Sequence, residues 1–261
     1  MNHKKPPSGT QAVLRAIALL KAFTGDKPEM DLPDLADRVG LTRTTTHRLL
    51  SALESEDLVA KDPLSHGYRL GPAAIALGSR ALRTNDLRKI ARPYLESLAA
   101  RTRETATLEV LVDGWMLILD EVLGAHLVGT TPSVGTSWAI HATSTGKVLL
   151  AHLSETDRKK LLKKPLTRYT PRTITDSREL QKEFDQARQR GYAIATEELE
   201  EGYVAVGATV TGPLGNPVGS LSVGGPSVRL KRNQLSDLGK LVTAAARQVS
   251  IRLGYETTDF K

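Results

Sequence analysis

Apolar residues recur at three- and four-residue steps near the start of the chain, which is the spacing of one face of a helix. A helix is therefore predicted over residues 10–24, and Gly25 is expected to end it. The face of this helix that is expected to be buried carries Val13, Ile17, Leu20 and Phe23.

A second and a third helix are predicted to follow, joined by a tight turn at Leu41. Asp31 is expected to cap the second helix, and Gly40 is expected to end it. Thr42 is expected to cap the third helix. The buried positions predicted on these two helices are Leu32, Leu35, Ala36 and Val39, followed by Leu49, Leu50 and Leu53.

Two short strand-like segments, 58–61 and 68–71, flank a turn that contains Pro63 and Gly67, which predicts a β-hairpin. Helix, helix-turn-helix and hairpin in this order predict a winged helix-turn-helix domain over residues 10–71. Residues 72–84 are predicted to form a linker helix that also mediates dimerisation, because small residues allow close helix approach; a plain inter-domain helix is the alternative. The residues that share this face are Ala74, Gly78, Ala81 and Leu82.

From residue 85 onward, helical segments alternate with strands that are mostly connected as hairpins, and Asp113-Gly114 is a strong hairpin signal. This order predicts an α+β domain with an antiparallel sheet over residues 85–261. Helices are expected at 86–102, 144–163, 176–190 and 231–253, and strands at 106–112, 115–122, 126–131, 192–197, 203–211 and 217–223.

The 261 residues suffice for two domains, and the net charge of +7 favours a polyanionic partner without naming it. Residues 1–9 are predicted to be a flexible basic arm. The absence of Cys excludes disulfides, thiol catalysis and Cys-ligated metal. No apolar run is long enough for a membrane span, so we expect a cytoplasmic protein without a membrane partner.

The first turns of the third helix carry hydroxyl and cationic side chains, although Thr is a poor helix former. A helix-turn-helix inserts this end of its recognition helix into the major groove, where Arg bonds guanine and hydroxyls bond bases or phosphates. An alternative is that Thr42 only caps and the others are solvated. Arg15 on the first helix, and Lys61 and Arg69 on the wing, are further candidates for backbone contacts. The recognition-helix candidates are Thr42, Arg43, Thr44, Thr45, Thr46, His47 and Arg48.

Six segments of the chain occur in a characteristic order: TQAVLRAIALLKAF (10–23), DLPDLADRVGLTRTTTHRLLSAL (31–53), GYRLG (67–71), HATSTGKVLLA (141–151), RQRGYA (188–193) and GSLSVGGPSVR (219–229). With these segments the chain resembles the IclR family of bacterial regulators over roughly residues 10–254. The resemblance implies a transcriptional regulator with a GAF-like effector-binding domain; a repressor is expected, and an activator is the alternative. It also implies a homodimer or dimer of dimers on a palindromic double-stranded DNA operator, and a small carboxylate effector.

A turn before residue 147 is a candidate effector site. Gly146 and Lys147 are expected to open a helix, so the N–H groups of Thr145 and Gly146 would be free to bind a carboxylate. Trp138 and His141 precede this turn and are further candidates; His141 is alternatively a core histidine bonded to backbone. The resemblance places Ser144, Thr145, Ala195, Ala205, Ser222 and Gly224 in the effector pocket.

Ala195 and Ala205 stand where studied relatives carry polar or sulfur-bearing side chains, and Gly224 stands where they carry a hydroxyl. A larger and more apolar pocket is therefore expected, suited to an aromatic or branched acid. Glu197 and Glu198 would oppose an anion if they faced this pocket, so they are expected to be solvated.

An enzyme is not expected, since Ser144 with His141 or His126 lacks the G-x-S-x-G sequence of a nucleophile elbow. No metal-ligand spacing and no cofactor motif is present. A metal-sensing domain and a structural DNA-binding protein without effector are the remaining alternatives.

Overall fold

The computed structural model describes residue 7 and residues 9–25, 27–126, 134–163 and 165–256. The chain forms two compact units, Met1–Thr84 and Asn85–Lys261, which are considered separately. Most of the predicted basic arm and residues 127–131 of the predicted strand 126–131 lie outside the described residues. Among the helices described, none is long and apolar enough to cross a membrane.

The first unit contains helices around a small three-stranded antiparallel sheet in the order β1-β3-β2. The predicted helices and the predicted hairpin are present. The two-residue strand β1 was not predicted, because it is too short to show alternation. The elements are α1 (Gln11–Ala22), β1 (Glu29–Met30), α2 (Leu32–Val39), α3 (Arg43–Ser55), β2 (Val59–Lys61), β3 (Tyr68–Leu70) and α4 (Pro72–Thr84).

Local signals position α2 as predicted. The Asp31 side chain accepts a hydrogen bond from the Asp34 backbone N–H at 2.8 Å, and Gly40 ends the helix in the left-handed conformation with φ of 67°. Leu35 and Ala36 are buried. The helix therefore begins, ends and packs where the sequence indicated.

The predicted buried face of α1 is correct at Leu20 and Phe23, which pack in the core of the first unit, and wrong at Val13 and Ile17. Val13 and Ile17 are 59% and 43% exposed in the single chain, whereas Leu19 and Ala22 are buried. The helix carries apolar residues on more than one face, so periodicity alone could not decide which face contacts α2 and α3.

The second unit is built on a six-stranded, wholly antiparallel sheet in the order β6-β5-β4-β9-β8-β7. This confirms the α+β class with an antiparallel sheet. Its elements are α5 (Asp86–Thr102), β4 (Thr105–Val112), β5 (Trp115–Val122), β6 (Ser137–Ala139), α6 (Ser144–His152), α7 (Glu155–Leu161), α8 (Ser177–Arg190), β7 (Ala193–Thr196), β8 (Tyr203–Thr211), β9 (Pro217–Pro226), a 3-10 turn (Arg232–Gln234) and α9 (Leu235–Arg252).

Helix α6 packs against β7, β8 and β9 and against α8, while α5 and α9 contact each other and the sheet. The predicted helical block 144–163 is two helices, because Ser154 accepts a hydrogen bond from the Asp157 N–H at 3.1 Å and caps α7. Strand pairing sets Thr107 opposite Ser222 and Ser222 opposite Gly207. Residues far apart in the sequence thus share the sheet face that contacts α6.

Candidate functional site

The N-terminal turns of α3 present a contiguous exposed face. The hydroxyl of Thr42 accepts a hydrogen bond from the Thr45 backbone N–H at 3.3 Å and donates one to the Thr45 hydroxyl at 2.9 Å. These bonds confirm Thr42 as the N-cap and leave its side chain occupied. The exposed side chains that follow on α3 are Arg43, Thr44, His47 and Arg48.

Thr46 does not belong to this face, contrary to the prediction. It is fully buried, and its hydroxyl donates to the Thr42 carbonyl at 3.0 Å. Positions 46, 50 and 53 form the buried stripe of α3, so the side chain at 46 points into the first unit. Thr45 is half-buried. The exposed surface at the start of α3 is therefore smaller than the predicted set of seven residues, 42–48.

The wing adds exposed cations on β2 and β3. Lys61 lies 5.5 Å from the centre of the Tyr68 ring, and Arg69 on the neighbouring strand is exposed. Asp62 holds the turn between them, because its carboxylate accepts hydrogen bonds from the N–H groups of Leu64 and Ser65 at 2.8 and 2.9 Å. Arg15 on α1 is also exposed.

The second unit contains a cavity of about 290 Å³. The sheet, the start of α6 and the segment 198–203 line it. The predicted pocket residues that line it are Trp138, Ser144, Thr145, Ala195, Ala205 and Ser222; the other lining residues include Thr107, Glu109, Ile118, Ala142, Glu198 and Tyr203.

Three predicted pocket residues are not among the described residues that line the cavity: His141, Gly146 and Gly224. The His141 Nε2 lies 2.9 Å from the Thr167 carbonyl, and burial lowers the pKa of this histidine. It is therefore a core histidine bonded to backbone, which was the alternative interpretation.

The two glycines serve packing instead. A Cβ at Gly146 would lie 2.0 Å from the Ile140 carbonyl oxygen, and one at Gly224 would lie 2.0 Å from the Tyr203 hydroxyl. Gly146 therefore lets α6 approach the preceding segment, and Gly224 lies beneath the Tyr203 side chain.

Helix α6 begins at Ser144, where the predicted helical segment 144–163 starts, and not at Gly146 and Lys147 as the candidate effector site assumed. Thr143 is its N-cap, and its hydroxyl accepts a hydrogen bond from the Gly146 N–H at 3.1 Å. The Gly146 N–H is therefore not free. Within the described ranges, the N–H groups of Ser144 and Thr145 have no acceptor. The end of this helix thus offers an anion-binding pair, shifted by one residue from the predicted pair.

A buried carboxyl group that the sequence analysis did not identify lies on β4 beside this helix end. Glu109 accepts hydrogen bonds from the Thr145 hydroxyl at 2.6 Å and from the Thr107 hydroxyl at 3.0 Å, and Thr107 is 2.8 Å from the Ser222 hydroxyl. Burial raises the pKa of Glu109 to about 7, although the two hydroxyl bonds oppose this shift. The alternation of polar residues at 105, 107 and 109 was the available signal for a polar sheet face.

Glu198 is a second buried carboxyl group, so the expectation that this residue is solvated is wrong. Its Oε1 accepts a hydrogen bond from Lys147 Nζ at 2.6 Å, while its Oε2 has no partner among the described residues. Lys147 is fully buried and also bonds Glu183 at 3.0 Å. Burial raises the pKa of Glu198, although Lys147 opposes this shift. Glu197 is half-buried and lies 3.3 Å from Arg172.

Comparisons with known proteins agree with this architecture. The family described as "IclR helix-turn-helix domain" matches residues 12–63, and "Bacterial transcriptional regulator IclR C-terminal" matches residues 79–251. The transcriptional repressor IclR of Escherichia coli (strain K12) is 31% identical over 254 residues, which cover 95% of this chain and 92% of that protein.

Solved structures give the same result. A crystal structure of an IclR transcriptional regulator from Silicibacter sp. TM1040 superposes with a TM-score of 0.85 at 25% identity, covering 95% of this chain and 98% of that one. An IclR homologue from Microbacterium hydrocarbonoxydans, crystallised with 4-hydroxybenzoate, superposes with a TM-score of 0.76 at 26% identity, covering 93% and 99%. The chain therefore belongs to the IclR family of bacterial transcriptional regulators, and is a DNA-binding regulator rather than an enzyme.

Proposed function

We propose that the chain represses transcription by binding a palindromic double-stranded operator as a homodimer or dimer of dimers, and that a small organic acid in the cavity changes its operator affinity. In this proposal residues 10–71 bind DNA, residues 72–84 link and dimerise, and residues 85–261 bind the effector. The exposed face of α3 carries the proposal, because its two arginines and two hydrogen-bonding side chains follow a firmly capped helix start.

On operator DNA, Arg43, Thr44, His47 and Arg48 would contact base edges and nearby phosphates in the major groove. Lys61, Arg69 and Arg15 would contact phosphates, and each such contact would add about 0.9 to the magnitude of the negative slope of log affinity against log salt. Thr42 and the half-buried Thr45 contribute by fixing the helix start.

Selection of bound fragments from the source genome tests this assignment. The purified full-length chain should enrich a small set of related palindromic fragments, and footprinting should show protection of two half-sites. If no fragment is enriched, with or without organic acids, the operator-binding proposal fails.

For the effector, the N–H groups of Ser144 and Thr145 would bind a carboxylate, since the start of a helix favours negative charge. Trp138, Ala195 and Ala205 would contact its apolar body, and Ser222 would add a hydroxyl. The unpartnered Oε2 of Glu198 would accept a hydrogen bond from a ligand hydroxyl group. The complex of a related structure with 4-hydroxybenzoate supports a hydroxylated aromatic acid of this size.

In such a regulator the effector shifts the population between two states of different operator affinity, by binding one of them more tightly. Fluorescence anisotropy of a labelled operator fragment, titrated with the protein with and without 4-hydroxybenzoate and related acids, measures this coupling. The Ser222→Ala variant should show a weaker effector response and unchanged operator affinity without effector. Loss of both would indicate a folding defect instead.

A further inference from the structure

Glu109 is an unusual group to find where an anion is expected to bind. Its side chain lies in the cavity and is only 5% exposed. Both of its hydrogen-bond partners are hydroxyl groups, those of Thr107 and Thr145. The nearest helix supplies a cation, Lys147, but that cation is bonded to Glu183 and Glu198. Among the described residues, an ionised Glu109 would therefore be buried without a counter-charge.

The anion-binding end of α6 lies directly against this carboxyl group. Thr145 contributes one of the N–H groups that have no acceptor, and its hydroxyl is 2.6 Å from the Glu109 Oε2. A carboxylate bound to these N–H groups would come within close range of Glu109. Two carboxyl groups at such a distance are not both ionised, because like charges in a buried site repel strongly.

We infer that Glu109 binds the effector carboxylate as a neutral acid that donates a hydrogen bond, so that an acidic effector enters the cavity together with one proton. This inference rests on the proposed function, since it assigns a residue and a proton to the same effector site. It makes Glu109 a binding residue that selects for acids and makes the response of the regulator depend on pH.

The charged groups around Glu109 favour its neutral form. Glu198, Glu200 and Glu201 line the same cavity from the segment 198–203. The strand partners of Glu109 on β5 and β9, Ile118 and Ser220, carry no charge. Lys147 on α6 is already paired with two carboxylates. Burial is the main cause of the raised pKa of Glu109, which lies at about 7.

This assignment predicts the size and direction of the pH effect. A group with a pKa of about 7 is mostly protonated at pH 6 and mostly ionised at pH 8, so the affinity for a carboxylate should fall about tenfold over this interval. Proton uptake on binding should be small at pH 6 and should approach one proton per site at pH 8.

Isothermal titration of the full-length chain with 4-hydroxybenzoate at pH 6 and pH 8 tests the inference, with two buffers of different ionisation enthalpy at each pH to count protons. Glu109→Gln keeps a hydrogen-bond donor but cannot titrate, so it should bind this probe with similar affinity at both pH values. Thr145→Val removes a bond that lowers the pKa of Glu109, so it should shift the pH midpoint upward. Glu179→Gln, an exposed carboxyl on α8, should behave like the natural chain.

Two outcomes would overturn this inference and leave the proposed effector site intact. One is that the natural chain binds 4-hydroxybenzoate equally well at pH 6 and pH 8, and the other is that folded Glu109→Gln shows the same pH dependence as the natural chain. Tighter binding of 4-hydroxybenzylamine at pH 8 than at pH 6 would also overturn it, because Glu109 would then act as a counter-ion. If neither 4-hydroxybenzoate nor benzoate or acetate binds at millimolar concentration at either pH, the proposed acid effector fails, and the inference fails with it.

Discussion

The exposed face of α3 and the cavity of the second unit both carry charged and hydroxyl side chains, but the first set is exposed and the second is buried. On α3, Arg43 and Arg48 are exposed on a helix surface, and the stability of the first unit comes from buried apolar residues elsewhere. In the cavity, Glu109, Lys147 and Glu198 are themselves buried. Charges on the helix face are therefore available for binding at little cost, whereas those in the cavity are part of the folded core.

This difference has a consequence for mutagenesis. A change on the α3 face should alter affinity and leave stability nearly constant. A change at a buried charge of the cavity should alter stability first, so that ligand effects must be measured on variants that are shown to fold.

The largest effect is expected for Lys147→Met. This change leaves Glu198 buried without a cation, which should lower the free energy of unfolding by about 3–5 kcal/mol. Tryptophan fluorescence during urea unfolding measures it, because both tryptophans, Trp115 and Trp138, lie in the second unit. The control is Lys159→Met, whose ion pair with Glu155 is exposed, so water screens it and its loss should change the free energy of unfolding far less. Equal effects of the two variants would contradict the distinction.

Glu109→Gln is expected to change the pH dependence of stability. The folded pKa of about 7 is raised above the ordinary value of 4.5, so this carboxyl opposes folding increasingly between these values. As pH rises from 4.5 to above 7, the variant should gain on the order of 3 kcal/mol relative to the natural chain. Urea unfolding at several pH values measures this difference. Parallel curves for the two proteins would mean that Glu109 is not buried as described.

Arg43→Ala and Arg48→Ala should each weaken operator binding by about 1–3 kcal/mol, which is roughly 5- to 150-fold. Anisotropy titrations measure the affinity, and thermal unfolding should be unchanged because both side chains are exposed. Arg178→Ala removes the same charge from an exposed position on α8 and should bind operator normally. Operator affinity at the natural level in both arginine variants would exclude this face as the DNA-contacting surface.

The smallest effects distinguish two neighbouring threonines. Thr46→Val removes a buried hydroxyl bond to the Thr42 carbonyl and should cost about 1 kcal/mol of stability. Thr44→Val, at an exposed position, should stay within about 0.5 kcal/mol but weaken operator binding. Calorimetric unfolding and anisotropy give the two readouts. The opposite assignment of the two effects would show that the orientation of α3 is wrong.

Local sequence signals predicted the elements better than they predicted the contacts between them. Asp31, Gly40 and Thr42 act within a few residues of themselves, so the bounds of α2 and the start of α3 were predictable. The cavity contacts were not, because Thr107 meets Ser222 across 115 positions of sequence. Only the register between β4 and β9 determines such a contact. The buried face of α1 was predicted only in part for the same reason: Phe23 is buried as expected, whereas Val13 is exposed.

The position of Tyr203 over Gly224 suggests how this chain could be adapted as a biosensor for new metabolites. Its hydroxyl occupies the place where a side chain at position 224 would begin. A library that varies position 224 alone would therefore yield mostly steric clashes. Joint variation of positions 203 and 224, starting from a small residue at 203, would instead enlarge the cavity beside position 224 and admit bulkier effectors.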